Sequence, residues 1–518
     1  MQAQLSAIAF VAVALSAAYF LTRSIANERW HNAGFVLWFV SAAILFLLLG
    51  SKEFSLIVLV ALLVFLTPRP PEQKLPFLVL IFFAVPVAIK AAIPFPAINY
   101  LFNVDFQVLI GMVAVAPALI GGQRPERTIP QSIGWGTIFM LAYFTATTLL
   151  MFRVLPFTAT LRFGVEAILG VFLIYLLILR FAVSESVLER TMTALYTATV
   201  ILACIALMSQ LKRWNLYSLL DTDARIFKAA QVRYGILRTD TTVNSVLFGF
   251  IEAVGIVLLL RRKQIWGTLP KYGWLMGLLL TMGFIVSMSR GAWLAGFVAI
   301  SAYFLLNSRL SSSVIVAIVM SSVVCLAYLV FSGAGISQDL DPFQTFDYRK
   351  QLYAASWDQF HSAPFLGNPF YLNSGRFDEL VQGEGIVDVV SVYLQMALQF
   401  GLVGLVLYVA PFLISLVGIL RLRTRTVDLK SRTLIASLGA FILGYLALIS
   451  TVSGVNLIIH FGFILVALAN AAIVVANQQL ETPVNSETEK LFPAQPGPIR
   501  RPNIPVRRAP GRGRNHRG

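Results

Sequence analysis

The sequence predicts an all-α, polytopic integral membrane protein of about fourteen transmembrane helices, with a large external loop that carries short helices. Three observations predict it. The 518 residues are 58% hydrophobic and only 12% charged, about half the charge expected of a soluble globular chain. Apolar runs at 5–22, 33–50, 131–152, 163–181, 433–450 and 457–476 approach the roughly 20 residues that cross about 30 Å of hydrocarbon. Backbone groups in lipid must pair within their own segment, so such runs form helices, whereas a β-barrel would show short alternating segments.

In chain order, spans fall near 5–22, 33–50, 54–67, 75–94, 105–120, 131–152, 163–181, 191–209, 243–260, 273–288, 291–306, 313–332, 402–420, 433–452 and 456–476. The first lacks a basic flank before it and a small-residue cleavage site after it, which reads as a retained span. Segment 54–67 is short and 75–94 carries Lys90 and three prolines, so one of them is a candidate re-entrant or interfacial element. The stretch GWLMGLLLTMGFIVSMSRGAWLAGFVAISAYFLL is too long for one span, about 51 Å as a single helix, and must fold back at Ser289-Arg290-Gly291. Beyond it, segment 333–388 shows helical periodicity from Tyr348 to Phe360, broken by Pro364 and Gly367. Val389 to Phe400 resembles an amphipathic helix that meets the next span at Gly401 and Gly404. No internal repeat is visible in spacing or motif. Cys204 and Cys325 both lie in apolar runs, which leaves neither a disulfide framework nor a cysteine metal site.

Charge sets the orientation. Arg124 with Arg127, the run Arg261-Arg262-Lys263, and Arg421, Arg423, Arg425, Lys430 and Arg432 occupy short loops expected on the cytosolic side. Segments 210–242, 289–290 and 333–388 then face outward, and the chain divides into a transmembrane domain, 1–476, and a cytosolic tail, 477–518. The tail ends PAQPGPIRRPNIPVRRAPGRGRNHRG, with seven arginines and nothing to bury, and is expected to be disordered. Its expected partners are anionic lipids of the inner leaflet rather than nucleic acid. The net charge of +16 is therefore split between two membrane faces.

Basic residues should be rare in short external loops, yet Lys212, Arg213, Arg225, Lys228, Arg233 and Arg238 crowd the segment between the eighth and ninth spans. Only Asp221, Asp223 and Asp240 oppose them, which points to an anionic ligand. Arg290 at the hairpin and Arg349 at the start of the external helix extend the set, because an arginine held at a membrane boundary needs a partner.

Three stretches in this order, RYGILRTDTTVNSVLFGFIEA, SMSRGAWLAG, and YRKQLYAASWDQFHSAPFLGN followed by SVYLQMALQFGLVGLVLY, resemble the O-antigen ligase and bacterial polysaccharide polymerase superfamily over roughly 233–408. The resemblance implies a metal-independent glycosyltransferase of the bacterial inner membrane, without a cofactor, whose loop 333–388 is periplasmic. Its implied donor is an undecaprenyl-diphosphate-linked glycan. The implied acceptor is a second glycan, for a polymerase, or lipid A-core, for a ligase, and other polysaccharide-assembly proteins are candidate partners. Arginine forks can stabilise charge building on a diphosphate leaving group, so Arg233, Arg238, Arg290 and Arg349 are the candidate diphosphate ligands, with Arg290 and Arg349 also catalytic.

The ligase branch commonly carries a histidine just before the tyrosine-leucine of the last motif, where this chain has Val390-Ser391. A base for the acceptor hydroxyl must then be sought elsewhere. His361 and Asp388 are the candidates, with Glu384 and Asp240 as further carboxylates at external boundaries. A polymerase is the favoured reading and a ligase the alternative. A flippase for lipid-linked oligosaccharide is the reading from another class, disfavoured because the arginines gather on one face rather than along a path.

Overall fold

The computed structural model describes residues 1–48, 51–86, 89–92, 100, 102–115, 131–220, 232–233, 235–266, 271–308, 310–311, 313–314, 345–381, 387–425, 428–455 and 457–481. Eight helices among these are long and apolar enough to cross a membrane: α1 (Gln2–Thr22), α2 (Arg29–Leu47), a helix over Ile133–Met151, one over Phe157–Phe181, then Glu185–Lys212, Val392–Arg423, Leu429–Ile449 and Ile458–Leu480. Ser245–Leu260 and Gly273–Val286 are shorter apolar helices. The chain is a multi-pass, mainly helical membrane protein. The expected span at 313–332, apart from its first two residues, and the basic pair Arg124 and Arg127 lie outside the described residues, as does the tail beyond Glu481.

Numbered in order, the remaining helices are α3 (Lys52–Leu66), α4 (Pro71–Ile81), α5 (Phe106–Ile110), α6 (Gln131–Met151), α7 (Phe157–Ala167), α8 (Leu173–Phe181), α9 (Glu185–Lys212), α10 (Ser245–Leu260), α11 (Arg262–Trp266), α12 (Gly273–Val286), α13 (Arg290–Asn307), α14 (Thr345–Ser362), α15 (Val392–Arg423), α16 (Leu429–Ile449) and α17 (Ile458–Glu481). Two hairpins of short strands complete the described elements: β1 (Ala91–Ala92) with β2 (Asn103–Val104), and β3 (Val232–Arg233) with β4 (Ile236–Leu237).

Centrality does not follow hydropathy: α15 is the most apolar of the eight spanning helices, yet its apolar window is 33% buried. Helices α9 and α17 are 89% buried over their apolar windows, against 33% for α6. Bulky side chains such as Phe65, Trp274, Phe297 and Val406 face outward from the peripheral helices, as lipid-facing positions require.

Two expectations need correction. Segment 75–94 is not a spanning helix: α4 has 11 residues, about 16 Å, and the chain then turns into β1. Pro86 has no amide proton to continue the ladder, and the strand pairing takes over. The fold-back falls at residues 287–289, two residues earlier than the expected turn. Ser289 occupies the capping position of α13, Met288 takes a left-handed φ of 46°, and Arg290 is the first helical residue. Helices α12 and α13 are separate elements of 14 and 18 residues.

Helix α14 and its junction with α15 follow the sequence closely. Helix α14 contains Tyr348 to Phe360, and α15 breaks at Gly401, whose φ of 67° and ψ of −167° suit only glycine. The break frees amides at the start of a new helical segment. Pro364 and Phe365 supply the acceptors, with Leu402 N donating to Pro364 O at 2.8 Å and Val403 N to Phe365 O at 3.2 Å. Gly367, at φ 61°, completes the wedge, and Asn368 N donates to Leu398 O at 2.8 Å. Above the wedge, Leu352, Tyr371, Phe377, Leu380, Val389 and Leu398 form a small core separate from the main one.

Candidate functional site

Helix ends define two poles of the bundle. At one pole lie the start of α10, the end of α12, the start of α13 and the end of α16. Thr239 N donates to Val286 O at 3.2 Å. A side chain at Gly291 would sit 2.6 Å from Thr451 Oγ1, so only glycine lets the first turn of α13 approach the end of α16. The start of α15 joins them: Gly454 N donates to Gln395 Oε1 at 3.0 Å and Tyr393 Oη to Leu446 O at 3.0 Å.

The opposite pole holds the residues read as cytosolic. Arg261 is fully buried, forms an ion pair with Glu189, and donates to Thr433 Oγ1 at 3.1 Å and Lys430 O at 3.2 Å. Arg423 donates to Leu306 O at 2.5 Å and Leu310 O at 2.9 Å, and Arg432 to Ser308 O at 2.6 Å. These arginines cap the end of α13, where carbonyls lack helical partners and the dipole is negative.

Of the candidate site residues, Arg238, Asp240 and Arg290 lie at the first pole. Arg290 is exposed at the first position of α13. Arg238 follows β4, with Nε donating to Ser245 Oγ at 2.7 Å. Asp240 is buried, and its Oδ1 accepts from Ser245 N at 2.7 Å, so this carboxylate caps the start of α10 beside Asn244. Arg233 ends β3 and pairs in register with Ile236.

Arg349 and Asp388 belong to the outer segment. Arg349, on α14, is half-buried, and its Nε has no hydrogen-bond partner among the described residues. The neighbouring Tyr348 hydroxyl donates to Asp388 O at 2.9 Å, which fixes the chain entering α15. Burial first, and the Asp388 carboxylate after it, push the Tyr371 hydroxyl above its ordinary range. His361 sits apart in the last turn of α14. It is exposed, its Nδ1 lies 2.8 Å from Trp357 O, and its ring packs edge-on to Trp357 at 4.5 Å. Glu384 lies outside the described residues.

A second group of polar residues reaches the first pole from distant parts of the chain. The β1–β2 register pairs Ala91 with Val104, so the preceding Lys90 faces the following Asp105, and Lys90 Nζ lies 3.9 Å from Asp105 Oδ2. Asn103 N donates to Glu166 Oε1 at 2.8 Å. His460 lies in the first turn of α17, with Nε2 3.5 Å from where a side chain at Gly170 would begin. Sequence reading missed this group because its members lie 15 to 370 residues apart inside or beside apolar runs. Lys90, a lone charge in such a run, was the available signal.

Glu252 is the most deeply buried acid, with neither carboxylate oxygen partnered among the described residues, and it faces Gly283 of α12. Among the described residues there is no group of three or more His, Cys, Asp or Glu side chains arranged to hold a metal ion.

No curated protein matches the chain. Residues 275–409, from α12 through the wedge at Gly401, match the family model described as O-antigen ligase, and this segment includes Arg290, Arg349, His361 and Asp388. This segment is similar to the O-antigen ligase family, a likeness that indicates a glycosyltransferase of the ligase or polymerase type.

Proposed function

We propose that the protein joins repeat units carried on undecaprenyl diphosphate, acting at the periplasmic face as a polysaccharide polymerase. The observation that carries this reading is Arg290, an exposed guanidinium at the first position of α13 inside the family segment. At that position the guanidinium stands beside the first amides of the helix, whose positive dipole end suits an anion. A diphosphate supplies that anion. Guanidinium and helix amides together can hold the leaving oxygens as the glycosidic bond breaks.

In this reading Arg290 and Arg349 bind the diphosphate and stabilise its growing charge, with Arg238 and Arg233 beside the path of approach. Electron density passes from the anomeric carbon–oxygen bond to the diphosphate, the acceptor oxygen attacks that carbon, and the acceptor proton goes to a base. The two basic poles have opposite uses. Arg261, Arg423 and Arg432 are held by protein carbonyls and Glu189 and act as anchors on the cytosolic side.

A ligase that transfers finished polymer to lipid A-core is the second reading, since the matched family carries that description. The product that accumulates when the gene is deleted separates the two. Single repeat units on lipid are expected for a polymerase. Finished polymer left on its carrier would mean a ligase, and an unchanged glycan profile would remove both.

A further inference from the structure

We infer that the wedge between α14 and α15 is a membrane seat: Phe365 and Leu366 enter the lipid of the leaflet on the Arg290 side, with Arg153 at the headgroups beside them. The segment that carries α14 then lies on the bilayer instead of standing off in water. The seat is independent of the chemistry proposed above.

Two spanning helices locate the lipid boundary separately, and both put it at the wedge. In α15 the stretch between the break at Gly401 and the basic residue Arg421 is residues 402–420, about 28 Å of helix, close to the roughly 30 Å of a hydrocarbon core. Its outer end is therefore Leu402, whose amide donates to Pro364 O at 2.8 Å. Helix α6 has 21 residues, about 31 Å, and ends at Met151, just before Arg153. Arg153 Nη2 donates to Leu366 O at 2.7 Å. Because α6 packs along α15, one boundary passes through both helix ends and through the wedge bonded to them.

The side chains at that level face lipid. Leu402, Val403 and Val406 are exposed on α15, a helix whose apolar window is mostly uncovered by protein. Phe152, just past α6, and Phe157, at the start of α7, are exposed as well, with ring centroids 5.7 Å apart. Phe365 is 66% exposed and Leu366 47%, and neither joins the main core or the small core above the wedge. Apolar side chains this bare, one hydrogen bond from a lipid-facing turn, are covered by the same lipid, and an aromatic ring is the usual anchor at that depth.

The polar groups are arranged to match. Arg153 is exposed, and its Nε and Nη2 hold Leu150 O and Leu366 O. The other donors of the guanidinium remain for headgroups, where an arginine with an apolar stem settles. A few residues past the wedge the surface changes, and Asn373, Ser374, Arg376, Asp378 and Glu379 are all exposed. The segment is two-sided, apolar where it meets α15 and polar further on, as an element lying on a membrane is.

The test uses the full-length chain without substitutions, reconstituted in lipid nanodiscs whose phospholipid carries a diazirine near the headgroup end of one acyl chain. After irradiation and proteolysis, mass spectrometry should find adducts on Phe365 or Leu366 as well as on residues 402–406, and none on 373–379. Adducts on 402–406 with none on 364–366 would overturn the seat and leave water or another protein chain as the cover of the wedge. A second measurement places a nitroxide at Phe365→Cys or Ser374→Cys in a chain that also carries Cys204→Ala and Cys325→Ala. Relative to a water-soluble nickel chelate, oxygen should relax the label at position 365 several-fold more effectively than the label at position 374. Equal access of the chelate to both positions would contradict the seat.

Discussion

Helix α13 has a cluster of arginines at one end and a single arginine at the other, and the two ends treat guanidinium in opposite ways. At its C-terminal end Arg423 and Arg432 donate to the carbonyls of Leu306, Ser308 and Leu310, where orphan acceptors and a negative dipole welcome them. At its N-terminal end Arg290 occupies the first helical position, where a cation is disfavoured, and remains exposed. On the proposed reading the same side chain serves packing where the dipole favours it and recognition where it does not. Local rules are broken mainly at sites that meet a ligand.

The comparison breaks most visibly at the packed pole. Arg261→Ala leaves the Glu189 carboxylate buried without its ion-pair partner, which should destabilise the protein by about 3–5 kcal/mol. Thermal unfolding in detergent reads the loss, and Arg261→Met combined with Glu189→Leu should recover most of it. If Arg261→Ala unfolds like the wild type, that pole is not held by its arginines.

A smaller effect is expected at the wedge that ties the outer segment to the bundle. Gly401→Ala places a methyl group 2.2 Å from Phe365 O at a backbone conformation that costs side-chain-bearing residues about 1–3 kcal/mol. The segment 364–381 should become sensitive to protease and transfer should fall with it. Gly134→Ala is the control: nothing lies within 4 Å of the added atom, and an alanine inside α6 should be neutral or slightly stabilising. Equal behaviour of the two variants would detach the wedge from function.

Much of this was legible in the sequence because hydrophobic length and glycine placement are local signals. The run at 131–152 became α6 almost residue for residue, α16 covers 429–449 against the expected 433–452, and Gly401 marked the junction of the amphipathic helix with its span. Local patterns also indicated the fold-back near Arg290, although not that Met288 would take the left-handed turn. Long-range pairing was illegible. Nothing in the run 75–94 announces that Lys90 meets Asp105 through a strand register, or that His460 arrives beside Gly170 from the far end of the chain. The basic residues of the packed pole were read as topology signals, while their capping of α13 depends on helix contacts that spacing does not encode.

The central claim is that the exposed arginine does chemistry and the opposite pole does not. Its most direct test is glycan transfer by purified, normally folded Arg290→Ala, Arg290→Lys and Arg421→Ala, the last an exposed arginine near the packed pole. Arg290→Ala should lose about a hundredfold to a thousandfold in turnover, and Arg290→Lys nearly as much, because an ammonium cannot hold two phosphate oxygens in one plane. Arg421→Ala should transfer at the wild-type rate. If Arg290→Ala transfers normally, or if Arg421→Ala fails as badly, the division of labour between the two poles is wrong.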